Sequence, residues 1–423
     1  MHIVLDISRL LGLAWYGQPT GVDRVEIAHA RHWRKRPPGE VTFVAQSPWG
    51  WFAALPDGLA RSLLIEAEAV VAPGKEGGLA RFRAMAAAAV SQRLWGGGRR
   101  ALAQALARNP HSVFLVLSHR GVHHPGAIER VVKAGARFVP MLHDLIPLTH
   151  PEYCRPFSTT QHARRLQVIS ALADGVITPT EHVARQYEAM MQAQGLAAPP
   201  AQGVGLGLDL TRADTPLGAS RFPGEDPYFL LLGTIEPRKN HLLPLLIWRE
   251  FAAQGWQQAP RLVIVGRRGW ENEAVFRLLD RTDFNGRVEE RGRLCDRETA
   301  RLMRGATALL SPSFTEGFGI PLAEALASGT PVISSDIPSA REVGGEVPEY
   351  HHPLETAAWT EAIRTLAAPG SARREAQLRR LSRWQPPCWE RHFQRVESFL
   401  ERICGQARPA QVEQRQMAGA LQH

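Results

Sequence analysis

Two carboxylates, Glu316 and Glu324, lie in a stretch rich in glycine and alanine, and two adjacent cations, Arg238 and Lys239, follow an apolar run that ends at Gly233. Adjacent cations at the mouth of a helix suit an anion, because the free amides of the helix start already present a positive dipole end. With no anion there, the pair would be unfavourable, so phosphate binding is the natural compensation. Carboxylates set among small residues form part of a covered surface, and covered carboxylates need hydrogen-bond donors. Sugar and ribose hydroxyls would supply them. Together these residue types describe a site for a ligand that is phosphorylated and rich in hydroxyl groups.

The elements that must position them are legible as strands and helix starts. Ala306–Leu310 reads as a buried strand that passes through Gly317, Phe318, Gly319 and Ile320 into a short helix, followed by a second strand at Pro331–Ser334. In open α/β sheets such a loop lies at the carboxyl edge, where ligands bind, and Gly317 and Gly319 let backbone amides come close to one. Pro321 falls in the first helical turn, where a missing amide costs little. Leu322, Ala325 and Leu326 share the core face of that helix, and Glu324 points away beside Ala323, Ala327 and Ser328. Tyr228–Gly233 reads as another strand, leading through Thr234 to Arg238 and Lys239. Arg261–Val265 ending at Gly266, and Arg287–Arg291 leading to Gly292 and Leu294, are two further strand edges. Taken singly, Glu316 would cap a turn, Glu324 would be a solvated helix residue, and the glycines would be ordinary loop glycines.

The contiguous run changes that weighting. Glu316-Gly-Phe-Gly-Ile-Pro-Leu-Ala-Glu324-Ala, followed by Ser-Gly-Thr-Pro-Val-Ile, closely resembles the carboxylate pair of the retaining family-four nucleotide-sugar glycosyltransferases. The resemblance implies that Glu316 contacts a donor sugar, that the amides from Gly317 to Ile320 meet the sugar and diphosphate, and that Glu324 holds the ribose. It further implies that Arg238 and Lys239 grip the donor diphosphate, that Leu294 borders the base, and that Gly233 and Gly266 line the donor site. Many relatives carry Arg directly after the first glycine of this motif, whereas this chain has Thr234. The wording Gly-Thr-Ile-Glu-Pro-Arg-Lys-Asn-His, with His143-Asp-Leu-Ile-Pro147, is most like bacterial mannosyltransferases of surface-polysaccharide assembly, which implies GDP-mannose. UDP-glucose, UDP-galactose and dTDP-rhamnose stay open as donors.

The N-terminal half reads as a second set of strand and helix units. His2–Ile7 is a buried strand, followed by a loop over Trp15–Arg24 and a helix to about Trp33. Gly21 stands just ahead of that helix, and the resemblance makes it the family's N-terminal glycine loop. Val41–Gln46, Val113–Ser118, Arg137–Leu142 and Gly175–Thr178 are further strands, with Thr180 a helix cap. His143, at the end of its strand, is either a buried structural histidine or, by resemblance, the one that touches the donor sugar. With His150 and Glu152 it makes a poor metal pattern. Leu79, Phe82, Ala86 and Val90 share a helical face with Arg81 well away from it. This basic amphipathic helix either packs on its own sheet, which we favour, or lies on an anionic membrane.

The bulk numbers bound the answer. A chain of 423 residues with 44% hydrophobic and 22% charged side chains suits two soluble domains. Formal charge +9 favours anionic partners, but no nucleic-acid-binding signature accompanies it. Cys154, Cys295, Cys388 and Cys404 show neither metal-ligand spacing nor a disulfide framework, which fits a reducing cytoplasm. No stretch reads as a secretory signal or a membrane span. The expectation is a GT-B fold of α/β class, two Rossmann-like doubly wound domains facing across a cleft: an acceptor-side domain over 1–222, a nucleotide-sugar-binding domain over 223–385, a helix over 386–405 crossing back to the first, and a flexible tail over 406–423. The expected activity is metal-independent retaining transfer of a hexose, with no cofactor, to a glycan or lipid-linked acceptor on the cytoplasmic side of the membrane. A sugar-nucleotide epimerase and a non-catalytic sugar-nucleotide-binding protein are the rivals. A nicotinamide dehydrogenase would need a glycine fingerprint that Leu11–Gly21 lacks.

Overall fold

A computed structural model describes residues 1–16, 19–47, 49–71, 78–95, 97–209, 227–256 and 259–406 of the chain. Two compact units form, one of Met1–Thr149, Pro156–Leu206 and Trp389–His423, the other of His150–Arg155 and Gly207–Cys388. The first unit runs to Leu206, the short excursion His150–Arg155 belongs to the second, and the expected boundary at residue 222 lies outside the described residues. The expected tail lies, from residue 407 onward, outside the described residues, as does the core of the expected linker, 210–226.

In the first unit the strands are β1 (His2–Asp6), β2 (Val41–Gln46), β3 (Phe52–Ala54), β4 (Ser112–Val116), β5 (Arg137–Pro140), β6 (Val176–Thr178) and β7 (Ala201–Gly203). Five of them form a sheet in the order β3-β2-β1-β4-β5, parallel except for β3, and β6 pairs with β7. Single bridges from Phe138 to Ala173 and from Met141 to Ile177 tie that pair to the edge beside β5. Every residue of β1 and β4 is buried, as parallel strands covered on both faces require. The antiparallel β3 has no counterpart in the sequence reading, and neither has the helix Ser8–Tyr16, which occupies part of the expected loop. Thr20 caps the next helix, Gly21–Trp33, in a reciprocal arrangement with Asp23.

The basic helix Gly78–Trp95 buries Phe82, Ala86 and Ala89. It packs on the helices Asp57–Val71, Ser8–Tyr16 and Gly98–Arg108. Arg81 pairs with Glu66 at 3.0 Å, and Arg83 Nε donates to the Ala14 carbonyl at 2.8 Å. The apolar stripe that a membrane reading needed is thus largely used inside the unit. Among the described residues no helix is long and apolar enough to cross a membrane.

The second unit holds β8 (Tyr228–Leu232), β9 (Arg261–Val265), β10 (Val288–Glu290), β11 (Ala308–Ser311), β12 (Val332–Ser335) and β13 (Glu349–His351). They form one parallel sheet in the order β10-β9-β8-β11-β12-β13. Alternation along β8 divides the core between two faces. Phe229 and Leu231 join Trp248, Ile264 and Trp359 on one, and Leu230 joins Val263, Leu309 and Leu326 on the other. Helices therefore cover both sides, and the strand order reverses between β8 and β11. At such a reversal the loops leaving the two strands diverge and open a crevice at the carboxyl edge.

Candidate functional site in the second unit

The loops after β8 and β11 bring three of the expected residues into contact. After β8 the chain makes a 3-10 turn over Pro237–Lys239, closed by Asn240 in the left-handed region and pinned where its Nδ2 donates to the Pro353 carbonyl at 2.9 Å. After β11 the loop is stitched to that turn by the Phe314 amide, which donates to the Arg238 carbonyl at 2.9 Å. Glu316 then sits between both cations: Arg238 Nη1 lies 2.7 Å from Oε2, and Lys239 Nζ lies 2.5 Å from Oε1. Ser313 Oγ donates to the same Oε1 at 2.8 Å, and Arg238 also reaches Glu236 at 2.7 Å and the Thr315 carbonyl at 2.9 Å. Burial by itself would raise the Glu316 pKa. The Arg238 and Lys239 charges, with the hydrogen bonds from Lys239 and Ser313, overcome that and bring it down to about 2.

This corrects one expectation. The adjacent cations are not left for an external anion to neutralise, because Glu316 supplies the charge. Glu236 and Ser313 complete the arrangement and were not singled out from the sequence. Their signal was proximity: Glu236 stands two residues before Arg238, and Ser313 three before Glu316.

Around this cluster the strand edges approach closely enough to forbid side chains. A Cβ on Gly266 would lie 1.8 Å from the Gly233 carbonyl oxygen. The Gly233 amide donates to the Val265 carbonyl at 3.0 Å, and the Gly266 amide to the Gly292 carbonyl at 2.6 Å, so the ends of β8, β9 and β10 are laced together. Thr234 packs its methyl where a Gly269 side chain would go. Leu294, partly buried, packs against the core on the Leu230 face. Gly317 and Phe318 follow Glu316 directly, and Phe318 is buried. Gly319 takes φ of 87° as the cap of the helix Ile320–Ala327, where Pro321 falls in the first turn. Glu324 is partly buried on that helix. Ala323, expected beside it on the outer face, is fully buried. The excursion His150–Arg155 adds Tyr153 stacked on Phe314, ring centres 4.8 Å apart, and Arg155 over Trp270.

Gly21 and His143 belong to the first unit. Gly21 opens the helix that Thr20 caps. His143 is buried, its Nε2 donates to the Leu117 carbonyl at 2.6 Å, and its own amide donates to His119 Nε2 at 3.0 Å. Burial lowers its pKa more than the Leu117 carbonyl and Asp144 raise it, so the ring is neutral near pH 7. Beside this strand edge Arg9 binds Asp23 through Nε at 2.6 Å and Nη2 at 3.2 Å. Among the described residues no group of three His, Cys, Asp or Glu side chains is placed to hold a metal ion.

Residues 217–347 match the family Glycosyl transferases group 1. The chain is 32% identical over 163 residues to an O-antigen chain mannosyltransferase B of Escherichia coli, covering 38% of this chain and 42% of that one. It is 34% identical over 143 residues to an O-antigen chain mannosyltransferase of Salmonella typhimurium, covering 34% and 39%. The aligned parts thus span less than half the length of these relatives. A crystal structure of Anabaena Alr3699/HepE in complex with UDP-glucose superposes with a TM-score of 0.62 at 16% identity, covering 94% of this chain and 99% of that chain. That likeness is one of fold, and it extends over both units. The second unit accordingly carries a glycosyltransferase group 1 domain, in a chain with the GT-B fold.

Proposed function

We propose that the chain is a glycosyltransferase that moves a mannosyl residue from GDP-mannose to a hydroxyl of a growing surface glycan, with retention of anomeric configuration and without a metal ion. The observation that carries this reading is the Glu316 carboxylate fixed between Arg238 and Lys239 at the strand-order reversal of a group 1 domain. Departure of the sugar loads negative charge on the diphosphate. Arg238 and Lys239 take that charge, and losing one such donor typically costs about 3 kcal/mol, roughly a hundredfold in rate.

An incoming diphosphate competes with Glu316 for the same two cations. As it draws them off, it releases the carboxylate toward the hydroxyls and developing positive charge of the donor sugar. Same-face transfer assigns Glu316 to positioning the sugar and supporting its developing positive charge, and the competing mechanism, as in retaining glycosidases, would make the released carboxylate the nucleophile. The Gly317–Ile320 backbone then lies along the sugar and diphosphate, Glu324 holds the ribose, and Gly233, Thr234, Gly266 and Leu294 line the nucleotide. Mannose is preferred to glucose because the relatives of higher identity are named mannosyltransferases, whereas the UDP-glucose complex shares only the fold. The reaction belongs at the cytoplasmic face of a membrane, where nucleotide sugars and lipid-linked acceptors meet.

Thermal-shift measurement with GDP-, UDP- and dTDP-sugars tests the proposal. GDP-mannose should raise the melting temperature of the wild type and have little effect on Glu324→Ala. Stabilisation by none of the sugars would sink the transferase reading, and stabilisation by a UDP-sugar alone would overturn the choice of donor.

A further inference from the structure

The turn between β2 and β3 holds two indoles in an arrangement that the transfer reaction does not use. Because β2 runs parallel to β1, and β1 to β4, this turn leaves the sheet at the carboxyl edge, beside Ser8 and the loop that begins at Leu117. Continuity with that edge is direct, since the Gln46 amide donates to Ser8 Oγ at 2.7 Å. The turn is fixed by the Ser47 amide on the Trp51 carbonyl at 2.7 Å, by the Gly50 amide on the Ser47 carbonyl at 3.1 Å, and by Arg130 on the Gly50 carbonyl. Trp49 and Trp51 lie nearly parallel, ring centres 5.4 Å apart and planes at 14°, and the Arg99 guanidinium stands 5.3 Å from the centre of the Trp51 ring. Trp49 is nevertheless 63% exposed. One of its faces is turned to Trp51, and most of the residue is open.

Single exposed apolar side chains are ordinary. A stacked indole pair on a turn pinned at both ends is a platform whose ordering cost is already met before any ligand arrives. The open face carries the negative side of the ring quadrupole. A pyranose offers the complementary surface, a disc whose axial C–H bonds point positive hydrogens to one side while its hydroxyls spread around the rim. We infer that Trp49, backed by Trp51, is an acceptor subsite that stacks a pyranose ring of the glycan chain. The inference rests on the transferase reading for the word acceptor, but the platform itself is a property of the first unit.

Chain-length dependence distinguishes the two. Binding of mannose, glucose and galactose oligosaccharides, from mono- to pentasaccharides, is to be measured by calorimetry for the wild type, Trp49→Ala, Trp49→Phe and, as a control at another exposed indole, Trp15→Ala. The wild type should bind the longer members of one series about tenfold more tightly than its monosaccharide, as one stacked ring warrants. Trp49→Ala should lose that gain, Trp49→Phe should keep most of it, and Trp15→Ala should resemble the wild type. No gain with length in any series, or an undiminished gain in Trp49→Ala, overturns the inference. Trp49-dependent binding to anionic vesicles, with oligosaccharide binding unchanged in Trp49→Ala, also overturns it in favour of a membrane contact. Oligosaccharide binding through Trp49 in a protein that binds no nucleotide sugar would keep the platform and discard the transferase.

Discussion

In the proposed reaction Glu316 holds the place of the diphosphate as well as facing the sugar, and the two roles separate on substitution. Glu316→Gln keeps the volume and removes the charge that holds Arg238 and Lys239, so both cations become available to a diphosphate. Calorimetry with GDP should show binding as tight as in the wild type or tighter, while initial rates of transfer fall about a hundredfold. Lys239→Met should do the reverse to binding, and GDP affinity lost equally in both variants would remove the placeholder role. Glu26 makes a second residue-level case. It is fully buried, one of its oxygens lacks a hydrogen-bond partner, and burial, followed by the charge of Asp6, raises its pKa well above the ordinary carboxylate range. Folding therefore favours the protonated carboxyl of Glu26, and the stability it contributes is present below about pH 4.5 and is lost as pH rises toward the folded pKa. Glu26→Gln should raise the melting temperature by an amount that grows from acid to neutral pH. A gain independent of pH would mean that the carboxyl is ionised in the fold. The site's charges could be read from the sequence because Glu316 and the cations sit in runs of distinctive composition. Their mutual pairing could not, since Lys239 and Glu316 meet only through a sheet order that places β11 beside β8.

At the level of elements, the glycine-laced edge of the second sheet explains why three strand ends must stop where they do. Gly266→Ala would drive a methyl group into the Gly233 carbonyl at 1.8 Å, against backbone and not a flexible side chain. Relief requires moving the end of β8 or β9. We expect a loss of about 3 kcal/mol in urea unfolding, the upper part of the overpacking range, together with loss of nucleotide-induced stabilisation. A neutral Gly266→Ala would show that the edge yields freely. Most strands of both sheets were legible because buried parallel strands are short apolar runs bounded by glycine or polar residues, as in Tyr228–Leu232 and Ser112–Val116. Several elements were not, among them the three-residue strands β7 and β13. The helix Ser8–Tyr16 contains Gly12 and starts only two residues after a strand, its first amide accepted by Asp6 Oδ1 at 2.9 Å. The antiparallel β3 is three residues long, below the length at which periodicity speaks. The excursion His150–Arg155 joins the second unit through ring contacts of Tyr153 and Arg155, which no local pattern announces.

Across the whole molecule the two units differ in how they hold their histidines, and this sets how each responds to acid. In the first unit burial pushes His162 and His392 down to about 4 and His29 and His119 well below the ordinary value. The geometry agrees. His392 Nδ1 donates to the Gly205 carbonyl at 2.5 Å, leaving Nε2 to accept from His29 Nε2 at 2.8 Å, and a proton added to either ring there would set two donors against each other. That pair also anchors the helix Trp389–Gly405 to the helix Gly21–Trp33 within the unit. In the second unit His241 is the corresponding case, lowered to about 3 by burial and then by the charge of Lys239. A depressed imidazole gives stability that is complete above about pH 6.5 and is lost as pH falls toward the folded value, at about 1.4 kcal/mol per pH unit for each ring. Several rings acting together in the first unit amount to several kcal/mol per unit of pH, a large part of a domain's usual 5–15 kcal/mol. Glu26 opposes them, but as one carboxyl against several rings, and Glu316 begins to weaken the second unit only as pH falls below about 4.5. The first unit should therefore lose structure at higher pH than the second. Samples held in moderate urea between about pH 7.5 and about pH 4.5, pulsed with deuterium at a common pH and digested, should show Gly21–Trp33 and Trp389–Gly405 peptides exposed while peptides of β8, β9 and β11 stay protected. Simultaneous exposure of both sets, or earlier exposure of the second, would mean that the buried rings are not what limits this protein in acid.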